Sequence, residues 1–311
     1  MKNFLITGGA GYIGSMLSTV LVNKGKNVTV VDDLRYSSSS LNHLKFFSNF
    51  KFIKNDVRDK KLLKKIIPNY DFIIPLAALV GAPLCENNKK EAVETNYESI
   101  KFILSNLKKR QKIIYMNSNS GYGIGEKNKF CTEESPLKPI SLYGRTKIEA
   151  EQEVLKFENS VCFRLATVFG YSYRMRTDLL VNYMVYESVK NGLLKIFEPH
   201  FRRNFIHVRD VVNGIIFAIE KFSYLKSNTY NLGLSDANIT KYQLAKKIKK
   251  YKKEIVIQIV KGIKDPDQRD YFVSNSKIER KGFKAKINLD MGIKEMISVF
   301  ENDKLNSINN Y

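Results

Sequence analysis

The sequence predicts an α/β fold, a Rossmann-like doubly wound parallel sheet followed by a smaller C-terminal α/β lobe. Short apolar runs alternate with helical patterns as far as about residue 165, which is typical of parallel strands joined by crossover helices. A glycine-rich turn follows the first of these strands, as it does in folds that bind ligands at strand ends. After Gly170 the alternation weakens, which indicates that a second, smaller lobe begins there.

Six apolar runs predict buried strands, at residues 4–7, 28–31, 52–53, 72–76, 113–116 and 161–165. Four helical patterns alternate with them, at residues 12–23, 61–67, 91–107 and 142–156. In the second lobe we expect helices at residues 179–190, 211–221, 240–252 and 291–300, with a strand at residues 194–197.

The net charge of +21 is the one unusual bulk property of the chain. A nucleic-acid footprint would cluster its basic residues and interleave them with aromatic stacking platforms. Here the lysines are scattered, and the densest runs, at residues 60–65 and 246–253, are typical of solvated helix faces. We therefore expect no nucleic-acid partner.

The rest of the composition favours a cytoplasmic protein with reduced thiols. The chain has no run of eighteen apolar residues, and its first residues lead straight into a strand, so we expect no membrane segment and no signal peptide. The three cysteines lie far apart, which favours free thiols. Neither they nor the three histidines have the spacing of metal ligands, so we expect no metal.

A glycine turn joins the first predicted strand to the first helix. Gly8, Gly11 and Gly14 allow the backbone to approach a pyrophosphate, whose charge the helix N-terminus attracts. Asp32 follows the second strand about twenty residues further on, where a carboxylate can bind the ribose hydroxyls of adenosine. Because an acid there repels a 2′-phosphate, the sequence predicts NAD rather than NADP, although Arg35 lies close by.

The pattern Tyr-x-x-x-Lys occurs four times, beginning at Tyr97, Tyr143, Tyr186 and Tyr242. On a helix the two side chains share one face, so that an ammonium can lie beside a phenol. A neighbouring positive charge lowers the pKa of a phenol toward the range in which it can act as a base. Only the order of the other motifs singles out Tyr143 with Lys147.

That order resembles a known family. The glycine turn, Asp32, the Leu-Ala-Ala run at residues 76–78, Asn96, Ser118, the Tyr143 motif and the segment at residues 203–211 follow one another as in the extended short-chain dehydrogenase/reductase family. This family contains the nucleotide-sugar epimerases, dehydratases and dehydrogenases, and the resemblance covers essentially the whole chain.

Carried over residue by residue, the resemblance implies that Tyr143 takes a proton from a sugar hydroxyl while hydride passes to nicotinamide. Lys147 would hold the nicotinamide ribose and lower the phenol pKa, and Ser118 would hydrogen-bond the reacting oxygen. Arg203 would pair with a substrate phosphate, because a guanidinium can hold two oxygens at once. The resemblance also implies a homodimer, often formed through the helix that carries Tyr143.

The predicted contacts form two sets. Cofactor contacts are Gly8, Gly11, Tyr12, Ile13, Gly14, Asp32, Asp33, Leu34, Asp56, Val57, Leu76, Ala77, Ala78, Asn96, Tyr143 and Lys147. Substrate contacts are Val80, Gly81, Ser118, Asn119, Ser120, Thr167, Arg174, Arg176, Asn182, Arg202, Arg203 and Arg269. Asp56 has a second interpretation, in which Asp56 or Asp59 is a helix N-cap. We expect residues 1–170, completed by part of residues 200–225, to form an NAD-binding Rossmann domain, and residues 171–311 to form a substrate-binding lobe.

Differences between this chain and other members of the broad family exclude some of the reactions that the resemblance implies. The 4,6-dehydratases follow their catalytic Thr with an Asp-Glu pair, whereas Asn119 and Ser120 follow Ser118 in this chain. Epimerase/reductases of the fucose-synthase type have a Cys where this chain has Ser120. The remaining reaction is oxidation at C4 of a nucleotide-activated sugar, which leaves as a 4-keto sugar or returns as the 4-epimer.

Four segments, at residues 79–85, 117–126, 174–182 and 265–271, are similar to the dehydrogenases that oxidise C4 of GDP-manno-heptose in bacterial capsule synthesis. Thr167 replaces the usual Asn of the epimerases, and residues 265–267 replace their Arg-Pro-Gly segment. The cluster formed by Arg174, Arg176, Arg202 and Arg269 is therefore a candidate to bind the anionic substrate.

Two alternatives stay open at this point. One is a nucleotide-sugar 4-epimerase of the UDP-glucose type. The other is a non-catalytic regulator that senses NAD and binds protein or nucleic acid, although such a sensor has no need to keep Ser118, Tyr143 and Lys147 together.

Overall fold

The computed structural model describes residues 2–126, 129–261 and 269–302. The strands are β1 (Asn3–Thr7), β2 (Asn27–Asp32), β3 (Phe50–Lys54), β4 (Phe72–Pro75), β5 (Lys112–Ser118), β6 (Phe130–Cys131), β7 (Ser160–Leu165), β8 (Thr167–Phe169), β9 (Leu193–Phe197), β10 (Arg202–His207), β11 (Asn228–Leu232), β12 (Asn238–Thr240), β13 (Val256–Val260) and β14 (Phe272–Val273). The helices are α1 (Tyr12–Asn23), α2 (Lys60–Ile66), α3 (Ala82–Asn87), α4 (Lys89–Val93), α5 (Ser99–Ser105), α6 (Leu142–Leu155), α7 (Leu180–Lys190), α8 (Val208–Glu220), α9 (Phe222–Leu225), α10 (Lys241–Tyr251), α11 (Ser276–Arg280) and α12 (Leu289–Asn302).

Seven parallel strands form the main sheet in the order β11-β7-β5-β4-β1-β2-β3. Successive side chains of a strand point to opposite faces, and both faces of this sheet are covered. Phe4 and Ile6 of β1 pack with α1 and α8 on one face, whereas Leu5 packs with α2, α5 and α6 on the other. This arrangement confirms the predicted doubly wound α/β fold.

The six predicted strands of the sheet are present as β1 to β5 and β7, and α1 has the predicted bounds. The helix predicted at residues 91–107 is interrupted, because a wide π turn at Glu94–Glu98 separates α4 from α5. The pattern analysis did not predict β10, β11 and β13, nor the short helix α3.

The remaining strands form smaller sheets, separate from the main sheet. β12, β10 and β8 form one sheet, β13 pairs with β9, and β14 pairs with β6. A separate apolar core joins α7, α10 and α12 around Val185, Leu244 and Ile293. Within the described ranges, no helix is long and apolar enough to cross a membrane.

The division into two domains stays a prediction. The structure adds that β11, which lies beyond the residues 200–225 expected to complete the first domain, is hydrogen-bonded to β7 in the main sheet. Residues 265–268 of the segment compared with the heptose dehydrogenases lie outside the described residues.

Candidate active site

A cavity of about 550 Å³ opens at the carboxyl ends of the main-sheet strands. It lies where β1 and β4 are neighbours although β4 comes much later in the chain, and ligands of doubly wound sheets bind at such a switch point. The ends of β1, β2, β4 and β5 and the first turns of α1 and α6 line its inner half. The outer half is lined by Arg176, Asp178, Leu179, Leu180, Tyr183, Arg203, Lys241 and Arg269, whereas Arg174 lies closer to Asp32 and Tyr36.

The glycine turn has the shape and the donors that a dinucleotide pyrophosphate requires. Gly11 is the N-cap of α1 and no side-chain hydrogen bond caps this helix, so the N–H groups of its first turn remain for a ligand. Gly8 has φ +71°, and a Cβ there would lie 2.4 Å from the backbone nitrogen of Ala77. A Cβ at Gly14 would lie 2.3 Å from the Gly8 carbonyl oxygen. Larger residues at these positions would therefore push the turn away from the sheet.

Asp32 lies at the end of β2, beside the glycine turn, and lines the cavity. Its two carboxylate oxygens accept hydrogen bonds at 2.9 Å from the backbone N–H groups of Ala10 and Leu34. Burial raises the pKa of Asp32, while these two hydrogen bonds oppose the rise. Because a carboxylate has about four acceptor positions, Asp32 can hold the turn and still accept bonds from ribose hydroxyls.

The N-terminal half of α6 carries the candidate catalytic pair. Ser141 caps the helix by accepting a hydrogen bond from the Gly144 N–H at 3.1 Å. Tyr143 and Lys147 both line the cavity, whereas Arg145 on the opposite face is exposed. Ser118, at the end of β5, also lines the cavity, and its Oγ accepts a hydrogen bond from the Ser120 N–H at 3.1 Å. The structure thus brings together the three residues that the motif order selected.

Protonation of this pair differs from the sequence-based expectation. Burial raises the pKa of the Tyr143 phenol to about 12, although the charges of Arg269 and Arg176 and the Ser118 hydrogen bond lower it. Burial also lowers the pKa of the Lys147 ammonium, to about 7. The Lys147 Nζ lies 4.1 Å from the ring centroid of Tyr115, where a cation is attracted to the aromatic face.

The other three copies of the pattern lie outside the cavity. Lys101 lies 5.2 Å from the ring centroid of Tyr97, and Lys246 lies 4.7 Å from that of Tyr242. Tyr186 packs edge-on against Phe300 in the core of the second lobe. An ammonium beside a phenol therefore occurs repeatedly, and only Tyr143 places this pair next to Ser118.

One helical turn beyond Lys147, α6 carries the buried carboxylate of Glu151. Arg164 of β7 holds this carboxylate with both sides of its guanidinium, at 3.0 and 2.6 Å. Asn117, which precedes Ser118, donates to the second carboxylate oxygen and also accepts from the Ser118 N–H at 2.7 Å. Glu151 therefore joins the helix of Tyr143 to β7 through Arg164, and to β5, the strand that ends at Ser118, through Asn117.

Glu151→Gln is expected to lower the free energy of unfolding by about 3 kcal/mol, because it leaves the buried charge of Arg164 uncompensated. Urea denaturation measures the loss. Glu149 is exposed on the same helix, so the matched control Glu149→Gln is expected to change stability by less than about 0.5 kcal/mol. Equal effects of the two substitutions would contradict the role assigned to the buried pair.

Four of the predicted arginines line the cavity, with Arg176, Arg203 and Arg269 in its outer half and Arg174 close to Asp32. Asp178 accepts two hydrogen bonds from the Arg176 guanidinium, one of them at 3.0 Å. Burial and the neighbouring Arg176 lower the pKa of Arg174 to about 10. This concentration of positive charge suits an anionic ligand.

Most of the remaining predicted contacts also line the cavity: Tyr12, Ile13, Asp33, Asp56, Val57, Leu76, Ala77, Ala78, Val80, Gly81, Ser120 and Thr167. The side chain of Ser120 is notable because its Oγ is buried and has no hydrogen-bond partner among the described residues. The Asp56 carboxylate binds Arg58, and the N-cap of α2 is Asp59 instead.

Five predicted contacts do not line the cavity. Asn96 exchanges hydrogen bonds with both backbone groups of Leu79, which fixes the loop after β4. Asn182 donates to the Arg176 carbonyl at 2.8 Å. The carboxylate of Asp270 engages Arg202 at 2.8 and 2.9 Å. The other two are Leu34, whose N–H binds Asp32, and Asn119, which is buried behind Ser118.

Several lining residues had not been predicted. Tyr36 lies under the Arg174 guanidinium at 5.0 Å, and Asp178, Tyr183 and Lys241 line the outer half. The segment at residues 174–182 contains Asp178 two residues after Arg176. This spacing was a sequence signal for Asp178, because it allows the carboxylate to pair with the predicted arginine. Lys241 carries no such signal, because it lies in a lysine-rich helix of the second lobe.

Comparisons with known proteins agree with this geometry. The model of the NAD dependent epimerase/dehydratase family matches residues 4–233. A UDP-glucose 4-epimerase from Cyamopsis tetragonoloba is 29% identical over 330 aligned positions, covering 93% of this chain and 92% of that protein.

Solved structures show the same similarity. That of UDP-glucose 4-epimerase from Thermotoga maritima with UDP-glucose has a TM-score of 0.81 and 26% identity, and the match covers 96% of this chain and 98% of that one. The structure of dTDP-glucose 4,6-dehydratase from Bacillus anthracis with NAD has a TM-score of 0.84 and 22% identity, covering 98% of each chain. The family match spans most of the chain and includes the glycine turn, Ser118, Tyr143 and Lys147. The chain therefore belongs to the NAD dependent epimerase/dehydratase family, and it is an enzyme with NAD as its cofactor.

Proposed function

We propose that this enzyme oxidises the C4 hydroxyl of a nucleotide-activated sugar of the GDP-manno-heptose type to a 4-keto sugar, in surface polysaccharide synthesis. One observation carries the proposal. The carboxylates that line the cavity among the described residues are Asp32, Asp33 and Asp56 at its adenosine end and Asp178. Asp178 is ion-paired with Arg176, so the wall beside Ser118 offers no carboxylate to move protons at C5 and C6.

The proposed roles follow from this arrangement. Tyr143 accepts the proton of the C4 hydroxyl, and Ser118 holds the reacting oxygen by a hydrogen bond. When bound, NAD supplies the acceptor for the hydride from C4 and a positively charged nicotinamide ring. The charges of Arg176 and Arg269 act in the same direction, since both lower the pKa of Tyr143. The buried Ser120 Oγ is available to a further sugar hydroxyl.

The nucleotide diphosphate is proposed to lie in the outer half of the cavity, against Arg203 and Arg269. Arg203 is 2% exposed and its guanidinium donates to the Arg202 carbonyl at 2.9 Å, so its charge is fixed in place. A buried, fixed guanidinium binds phosphate oxygens with little loss of side-chain freedom. Arg202 is not part of this proposal, because Asp270 engages its guanidinium.

A 4-epimerase of the UDP-glucose type is the second candidate. The absence of a carboxylate beside Ser118, among the described residues, favours the epimerase equally. Epimerisation at C4 also needs only removal and return of the hydroxyl proton and the hydride. The curated relative from Cyamopsis tetragonoloba bears this name.

A single-turnover experiment separates the two candidates. NAD-loaded enzyme is mixed with GDP-manno-heptose, GDP-mannose or UDP-glucose, while absorbance of reduced nicotinamide is followed and products are identified by mass and NMR. We expect reduced nicotinamide to accumulate with a 4-keto sugar, and the GDP-linked heptose to react fastest. A 4-epimer formed without accumulated reduced nicotinamide would establish the epimerase instead. No reaction with any of the three would overturn the proposal.

A homodimer also remains a proposal from the resemblance. Sedimentation of the purified enzyme measures it directly, since a dimer has twice the 35.9 kDa of the chain.

A further inference from the structure

Six charged side chains form a connected cluster at the adenosine end of the cavity, and we call them the adenosine-rim cluster. The cluster consists of Asp33, Arg35, Asp56, Arg58, Glu91 and Glu94. They come from three separate parts of the chain, the loop after β2, the loop after β3 and the helical segment α4 with its π turn. Lys90 lies at the edge of the cluster, 3.9 Å from Glu94. Four carboxylates, two guanidiniums and this ammonium together still give the rim a negative net charge, although the whole chain is strongly positive.

Arg35 is the cation of this cluster that lines the cavity. It lies three residues beyond Asp32, directly after β2, where an arginine of related folds accommodates the 2′-phosphate of NADP. By position alone, Arg35 would therefore make this enzyme accept NADP. Because of Arg35, the sequence alone was ambiguous about the choice between NAD and NADP.

The structure shows why Arg35 does not act in that way. Its guanidinium donates to the Glu91 carboxylate from α4, and its Nε lies 3.5 Å from the carboxylate of Asp33. Its own backbone N–H is also bonded to Asp33, at 3.0 Å. Arg35 lines the cavity, whereas Glu91 does not. The guanidinium is thus held by a carboxylate that is not part of the cavity wall.

Arg58 provides the comparison within the same cluster. Asp56 holds its guanidinium through two oxygens at 3.0 and 2.6 Å, and Glu94 binds it at 3.2 Å. Glu91 reaches Arg58 as well, at 3.2 Å. Removing Glu91 therefore leaves Arg58 with two carboxylates, whereas Arg35 keeps only Asp33. The effect of Glu91 on charge at the cavity falls mainly on Arg35.

We infer that Glu91 is a specificity-determining residue, which excludes NADP by holding Arg35 away from the position of a 2′-phosphate. The Arg35–Glu91 contact offsets the charge of Arg35, so that less positive charge remains to balance the carboxylates of Asp32 and Asp33 against the phosphate. The inference rests on the placement of the adenosine ribose beside Asp32, which forms part of the proposed function. It does not depend on the identity of the sugar.

Titration calorimetry of cofactor-free enzyme with NAD⁺ and with NADP⁺ tests the inference by the ratio of the two dissociation constants. Glu91→Gln is expected to improve NADP⁺ binding and to shift the ratio toward NADP⁺ by at least tenfold, since the released Arg35 can then pair with the 2′-phosphate. The matched control Glu94→Gln, which changes a carboxylate that binds Arg58, is expected to shift the ratio by less than twofold.

A double variant identifies the cation involved. Adding Arg35→Ala to Glu91→Gln is expected to remove the gain in NADP⁺ affinity, because the double variant has no Arg35 cation to pair with the 2′-phosphate. An unchanged ratio for Glu91→Gln with normal NAD⁺ binding would overturn the inference and leave the proposed function intact. Loss of both cofactors in equal measure would also overturn it, because it would assign Glu91 a purely structural role.

Discussion

Tyr143→Phe is expected to lower the rate of sugar oxidation by about 10³-fold, because it removes the group that accepts the hydroxyl proton. Binding of NAD is expected to change little, since the glycine turn and Asp32 remain. The ring keeps its place on α6, which Ser141 caps and the Glu151–Arg164 pair anchors. The loss should therefore fall on kcat, and stopped-flow measurement of the first turnover reports it directly.

The chain offers a matched control for this experiment. Tyr242 also has a lysine four residues further on, with the ammonium 4.7 Å from its ring centroid, and it lies outside the cavity. Tyr242→Phe is expected to leave the turnover within twofold of the parent enzyme. If Tyr143→Phe retained more than a tenth of the parental rate, Tyr143 would not be the base.

Lys147→Met is expected to abolish turnover and at the same time to make the cofactor-free protein more stable. Lys147 is 6% exposed, and burial lowers the pKa of its ammonium to about 7. Burying a charge costs free energy, and replacing it by an apolar side chain of similar length is worth about 1–3 kcal/mol. The gain is measured as the difference in free energy of unfolding in urea.

The sign of the pH dependence follows from the two pKa values. The folded protein holds the Lys147 proton less tightly, with a pKa of about 7, than the unfolded chain does at the ordinary 10.5. The cost of the buried charge is therefore fully present below pH 7 and falls away as the pH rises toward 10.5. We expect the stability advantage of Lys147→Met to be largest near pH 6.5 and to shrink toward pH 9.5.

A lysine of another Tyr-x-x-x-Lys pair serves as the control here. Lys246 is exposed on α10, so Lys246→Met is expected to change neither turnover nor the slope of stability against pH. A destabilised Lys147→Met protein at pH 6.5 would show that Lys147 mainly supports the fold, and would contradict the expectation.

The sequence predicted those parts of the fold that depend on local pattern. Strands β1 to β5 and β7 are apolar and lie between helical patterns, which identifies them. β10 and β11 escaped prediction because their buried faces contain polar residues such as Asn204 and Asn231, each fully buried. Asn204 donates to the Leu234 carbonyl at 2.6 Å, and Asn231 accepts from the Tyr122 hydroxyl at 2.6 Å. Partners so distant in sequence leave no periodic signal.

The candidate active site shows the same contrast between features that follow from local sequence pattern and features that depend on contacts between distant residues. Tyr143 could be selected from its copies because strand order fixes which loops meet at one edge of the sheet. The lowered pKa of Lys147 could not be predicted, because it depends on burial of the ammonium near Tyr115 and not on spacing along α6. Asn182 was expected to contact the substrate, but it binds the Arg176 carbonyl and the Tyr12 hydroxyl instead. Asn182 and Tyr12 are 170 positions apart in the sequence.

The network around Glu151 has a consequence for the order in which the protein can fold. Thr229 of β11 donates to the Glu151 carboxylate at 3.3 Å, and Asn231 binds the Tyr122 hydroxyl that Arg164 also contacts. A strand made more than seventy residues later, after β8 to β10, therefore adds a contact to a helix that Arg164 and Asn117 already hold. During synthesis the Glu151 network can be completed only after β11 has left the ribosome.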